Sequence, residues 1–156
     1  MRIGVISDTH GLLRPEVLPA LAGCDHILHA GDVGDASILD VLRTIAPMTA
    51  IRGNIDRNGP CAALPTTEAI TLGERLFYLV HSIDDLDLHP AAAGIAAVLY
   101  GHSHQAAMDW KDGILYFNPG SAGPRRFHLP ITVGLLECIP GKITPRILSL
   151  EDTTAG

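Results

Sequence analysis

The chain is poor in the features that would tie it to a special environment. Only three cysteines occur in 156 residues, Cys24, Cys61 and Cys138. An odd number without C-x-x-C spacing supports neither a disulfide framework nor a thiolate zinc site. They read as ordinary core or surface thiols. No Lys/Arg-rich run is present, and 11 Lys+Arg against 17 Asp+Glu leave a net charge of −6. Attraction to a nucleic-acid backbone is weak in such a chain, so no specific nucleic-acid partner is expected. No apolar stretch is long enough to cross a bilayer, so no membrane association is expected. The opening MRIGVISDTH runs straight into a strand-like segment, without a charged n-region, an apolar h-region or a cleavage site. A cytoplasmic, soluble protein is expected. No repeat, linker or low-complexity segment divides the chain, which predicts one domain over residues 1–150 and a frayed tail over 151–156.

What is present suits a folded globular domain: 47% hydrophobic and 18% charged residues, with a mean hydropathy of +0.25. The first third alternates strand and helix. Strands are predicted at 2–7, 26–30 and 49–52, and helices at 15–21 and 36–46. The second helix places Ile38, Leu39, Leu42 and Ile45 on one face. That βαβαβ order implies parallel strands with right-handed crossovers. Further strands are predicted at 68–72, 76–80, 97–100, 106–110, 114–117, 131–137 and 142–150, with one helical segment at 88–94. The expected fold is α/β, a four-layer αββα sandwich of two mixed β-sheets flanked by helices.

The chemistry-bearing residues fall at strand ends. Asp8 and His10 follow the first strand, Asp32 the second, Asn54 the third, His81 the fifth, and His102 and His104 the sixth. Ligands bind outside the carboxyl ends of parallel strands, so several loops deliver donors to one rim. Gly31, Gly53 and Gly101 immediately precede three of these groups and permit close backbone approach. Asp8/His10 and His102/His104 are i, i+2 pairs, which project to one side of extended backbone. Two carboxylates, four imidazoles and one amide oxygen suit Mn, Fe, Zn or Ni. Seven donors are too many for one ion and suit two that share a carboxylate.

The ordered string D-x-H, G-D, G-N, H and G-H-x-H, from Asp8 to His104, resembles the calcineurin-like metallophosphoesterase superfamily. Asn118-Pro119-Gly120-Ser121 adds a likeness to its small bacterial and archaeal phosphodiesterase branch. The resemblance implies one metal on Asp8, His10, Asp32 and His104, and a second on Asn54, His81 and His102 with Asp32 as the bridge. It departs from the family pattern at two positions. Ile55 stands where relatives carry a proton-donating histidine or a cysteine, and Ser82 where glycine is frequent.

The reading that follows is a hydrolase with two divalent ions, Mn foremost and Ni, Zn or Fe as alternatives, acting on a small phosphoester, most simply a phosphodiester. A hydroxide between the cations attacks phosphorus, with Asp32 and Asn54 central to holding it. Asn54, Ser82, Arg125 and Arg126 are candidate substrate contacts, and Asp56 and His29 candidate supports for the ligands. Two cations (+4) and two carboxylates (−2) leave the site near +2 in an acidic chain. The alternatives are a phosphomonoesterase, or a non-enzymatic scaffold of the same fold like the small retromer subunit. A homo-oligomer is expected from similar proteins.

Overall fold

A computed structural model of the chain describes residues 1–151. The chain forms β1 (Arg2–Ile6), α1 (Val17–Leu21), β2 (His26–His29), α2 (Ala36–Arg43), β3 (Met48–Ala50), β4 (Thr67–Leu72), β5 (Arg75–Val80), α3 (Pro90–Ala93), β6 (Ile95–Leu99), β7 (Ala107–Lys111), β8 (Ile114–Asn118), β9 (Thr132–Ile139) and β10 (Lys142–Ser149). Two five-stranded sheets result, in the orders β10-β9-β1-β2-β3 and β4-β5-β6-β8-β7. β1, β2 and β3 are parallel neighbours, as the alternation of strand and helix requires, and β9 and β10 extend that sheet antiparallel. In the second sheet β5, β6 and β8 are parallel, with antiparallel strands at both edges.

Strand alternation builds the layers. Ile3 and Val5 of β1, Leu28 of β2, Phe77 and Leu79 of β5, Leu99 of β6 and Phe117 of β8 fill the space between the sheets. Ile6 and Ile27 point the other way and pack with Val17 and Leu21 of α1 and Ile38, Leu39 and Leu42 of α2. Tyr78, Val80 and Val98 form a smaller outer core beneath Leu86 and Leu88. The four layers expected from the sequence are therefore present, although the outermost is thin: a 3-10 turn at Ile83–Asp85 and the four-residue α3.

The differences from the sequence expectation lie at element ends. α1 begins two residues after Pro15, because the amide of Val17 first closes a turn onto the Arg14 carbonyl. α2 starts where Asp35 accepts a hydrogen bond from the Ser37 amide and stops at Arg43, three residues before Ala46. The second-sheet helix keeps only residues 90–93 of the expected 88–94, ending at Gly94 in a left-handed cap. The three cysteines are free and buried, and burial raises each thiol pKa, consistent with packing rather than reactivity. Of the expected tail, residues 152–156 lie outside the described residues. Among the described residues no helix is long and apolar enough to cross a membrane.

Leu79 is fully buried between the sheets. Leu79→Ala is expected to lower unfolding free energy by about 2–5 kcal/mol in chemical denaturation. A loss below about 1 kcal/mol would contradict this packing.

Candidate metal centre

The ends of β1, β2, β3, β5 and β6 converge on one rim. There the backbone leaves extended geometry for the left-handed region at Asp8 (φ 57°), His10 (46°), Asp32 (55°), His102 (72°) and His104 (63°). Only two other non-glycine residues among those described share that conformation, Asp112 and Phe127. Left-handed backbone costs an L-residue about 1–2 kcal/mol. Its concentration on the sequence-predicted ligands marks a site whose geometry the surrounding fold enforces.

The side chains come together, but through these left-handed turns rather than through the extended backbone that the i, i+2 spacing assumed. Nε2 of His10 lies 3.7 Å from Asp8 Oδ1 and 3.4 Å from Asp32 Oδ2. His81 Nε2 lies 3.1 Å from the same Asp32 oxygen, and His104 Nε2 lies 3.5 Å from Asp8 Oδ1. On the outer side His102 Nδ1 is 3.2 Å from Asn54 Oδ1. Two groups of potential ligand atoms result, Asp8/His10/His104 and Asp32/His81/His102, each with its atoms within 4.8 Å of one another. The Asp32 oxygen faces a histidine of each group.

This cluster is incomplete by its own chemistry. Asp8 Oδ1, His10 Nε2, His81 Nε2 and His104 Nδ1 are buried without a hydrogen-bond partner. Buried polar atoms left unpaired cost about 1–3 kcal/mol each, and three of these, Asp8 Oδ1, His10 Nε2 and His81 Nε2, face one another across the cluster, where a cation would satisfy them. The donor set, hard to borderline oxygen and nitrogen atoms, fits divalent first-row ions.

Neighbouring groups hold the donors in position. The Nδ1–H of His81 donates to the Ala30 carbonyl (2.8 Å), which leaves Nε2 turned to the cluster. Ser7 Oγ and the His102 amide donate to Asp8 Oδ2, and the Ile55 amide donates to Asp32 Oδ1. Gly53 and Gly101 are obligatory for close approach. A Cβ there would lie 2.1 Å from Asp32 Oδ1 and 2.1 Å from Ser7 Oγ, respectively. Burial pushes the Asp32 pKa upward, but the His81 imidazole 3.1 Å away, the Ile55 amide and His10 prevail and hold it below the ordinary value. For His81 burial acts downward and is outweighed by Asp32, Ala30 and Asp8, so its pKa is raised. His104 is lowered, first by burial, with Arg126 and His10 adding and Asp8 and Asp32 opposing.

Asp56 and His29 support the site through the backbone rather than through the ligating rings. Asp56 accepts from the amides of Val33, Gly34 and Gly53 at 3.0, 3.0 and 2.9 Å, joining the loop of Asp32 to the loop of Asn54. The Gly31 amide donates to His29 Nδ1, so the ring proton sits on Nε2 and is donated to Thr9 Oγ1, whose hydroxyl donates to the Val33 carbonyl. Asn118, the first residue of NPGS, donates to Gly101 O and Ser103 Oγ and thereby fixes the GHSH loop. Ser121 Oγ donates to the Asp8 carbonyl. The sequence reading gave Ser7, Asn118 and Ser121 no such work, and only the NPGS string could have flagged the last two.

A groove of about 830 Å³ opens beside Asn54, His81 and His102. Arg52, Arg57 and Tyr78 line it with Ser82, whose Oγ accepts from the Asp84 amide. The charge of Arg126 reaches His104, on the other ligand group. Arg125 turns away, ion-paired with Glu151 and donating to the Leu129 carbonyl. Ile55 is 42% exposed at the rim and offers the site only its backbone amide.

A two-sheet sandwich that gathers carboxylate, imidazole and amide donors on the loops at one rim defines an α/β protein built to hold divalent cations. The chain belongs to the calcineurin-like phosphoesterase superfamily, whose domain model matches residues 1–140. It is 31% identical over 165 residues to a probable metallophosphoesterase of Methanocaldococcus jannaschii, an alignment covering 97% of this chain and 83% of that one. Its fold is similar to that of an archaeal phosphodiesterase (TM-score 0.72, 21% identity, 95% of this chain and 100% of that one). It is also similar to Vps29 of Entamoeba histolytica complexed with Zn²⁺ (TM-score 0.74, 21% identity, 96% and 99%). Metal-dependent phosphoester chemistry is thus the family setting of the cluster.

Asp56→Ala strands three amides and should cost at least about 2 kcal/mol of stability while lowering metal content. Unchanged melting and metal content would show that the two loops hold together without it. Burial lowers the His29 pKa from 6.5 to about 4. The unfolded chain takes up this proton near 6.5 and the folded one resists it. The contribution, about 3 kcal/mol, is present above pH 6.5 and lost as pH falls toward 4. In chelator-treated protein His29→Gln should flatten the stability profile over that window, and an unaltered slope would assign the acid sensitivity elsewhere.

Proposed function

We propose that the chain is a phosphodiesterase working with two divalent cations. Asp8, His10 and His104 would hold one, Asn54, His81 and His102 the other, and Asp32 would be common to both. The observation that carries this reading is the Asp32 oxygen lying 3.4 Å from His10 and 3.1 Å from His81, between two donor groups with unpaired buried atoms. Mn is the first candidate metal, with Ni, Zn and Fe compatible with the same donors. Bound cations of this kind supply Lewis acidity and a water acidic enough to attack phosphorus near neutral pH.

The protein's own residues do the rest. Asn54, exposed at the rim beside His102, presents its amide to a phosphate oxygen. Arg126 offers a charge on the His104 side, and the groove along Asn54 and His81 receives one ester substituent, with Ser82 in its wall. Ile55 donates no proton, so the departing oxygen must take one from solvent in the open groove. General acid assistance is worth about 10²–10⁴-fold where a side chain provides it. Activated diesters, whose leaving groups need no such help, are therefore the expected substrates.

With Mn²⁺, bis-p-nitrophenyl phosphate should be hydrolysed faster than p-nitrophenyl phosphate, and a chelator should abolish turnover. Ile55→His should improve diesters with poor leaving groups more than activated ones. Faster monoester turnover would make the protein a phosphatase. A second reading, a scaffold of the same fold, draws on the exposed apolar Ile55 in the donor position and on the fold shared with Vps29. Absence of turnover by folded protein supplied with Mn²⁺, Ni²⁺ or Zn²⁺ would favour it.

A further inference from the structure

Phe127 is 83% exposed, more than any other large apolar side chain described, and its backbone is left-handed (φ 57°). Both features are unfavourable for a bulky aromatic residue. A ring so exposed makes little contact within the chain that would offset either one. The segment is braced at both ends. Its base lies on the loop that carries Asp8 and His10, through Ser121 Oγ to the Asp8 carbonyl and the Ala122 amide to the Ser7 carbonyl, both 3.1 Å. Arg14 Nε holds the Gly123 carbonyl at 3.1 Å. Across the tip, the Leu129 amide donates to Arg126 O and Arg125 donates to Leu129 O. A closed turn anchored to the metal loop thus displays the ring next to Arg126.

We propose that Phe127 sets substrate specificity, its ring stacking on an aromatic substituent of the phosphoester, a nucleobase or an aryl group, while Arg126 beside it faces the phosphate. Along the chain the ring stands between two exposed polar residues, Arg126 and His128, a setting that suits a planar group attached to an anion better than an apolar protein surface. Stacking on an exposed aromatic side chain tolerates any base and adds appreciably to affinity. The inference rests on the phosphodiesterase reading for its substrate, but its test is a binding measurement that needs no turnover.

Adenosine 5′-monophosphate and ribose 5-phosphate share sugar and phosphate and differ by the base. Titrated into the Mn²⁺-loaded protein, the nucleotide should bind about 5- to 100-fold more tightly. Phe127→Ala should erase that margin and leave ribose 5-phosphate unchanged, and Phe127→Trp should keep it. Equal affinity of the wild type for the two ligands, no binding of either, or a margin that survives Phe127→Ala would overturn the proposal. So would a change of oligomeric state in Phe127→Ala, which would assign the ring to a contact between copies. Absence of metal-dependent diester hydrolysis would instead count against the phosphodiesterase reading alone.

Discussion

The structure depends on the cost of placing two carboxylates and three imidazoles out of water at one rim. Asp8 is fully buried, Asp32, His81 and His104 nearly so, and His10 half-buried. Their mutual contacts satisfy some of the charge but leave buried donor atoms without partners. Such an arrangement is unstable by itself, because an unpaired buried polar group forfeits its hydration. Divalent cations would convert that liability into binding energy, since metal affinity of a preformed site is linked to folding. The rest of the fold serves to make the site preformed.

Three devices carry that burden. Parallel strands end at the same rim, so residues distant in sequence arrive together. Left-handed turns at the ligands aim their side chains inward, and glycines at 53 and 101 let the loops touch without a clash. Asp56, His29 and Asn118 then tie one loop to the next through backbone amides and carbonyls. The buried neutral His29 adds stability above pH 6.5 and fixes the Asp32 turn through the Gly31 amide. These supports differ from the ligands in kind: they act on the main chain and leave ligand atoms free for metal.

Much of this was legible in the sequence because the signals are periodic or punctuated. Alternating strands and helices gave parallel β1-β2-β3, and a polar residue after each strand marked the rim. Strand ends place Asp8, Asp32, Asn54, His81 and His102 without reference to their neighbours. The helix ends were less legible, since the start of α1 at Val17 and the stop of α2 after Arg43 follow from local backbone hydrogen bonds that composition does not encode. Less legible still were contacts that join distant loops. Asn118 bonds the GHSH loop, Arg52 and Arg57 line the groove, and Arg125 pairs with Glu151 while the charge of Arg126 reaches His104. Adjacent arginines look alike in sequence, and only the turn that holds them separates their tasks.

Two cations sharing Asp32 are the centre of the proposed function, and anomalous diffraction from crystals grown with Mn²⁺ tests them most directly. Two peaks per chain are predicted, one among Asp8, His10 and His104 and one among Asn54, His81 and His102, with Asp32 contacting both. A single peak, or ions that leave Asp32 outside their coordination, would contradict it.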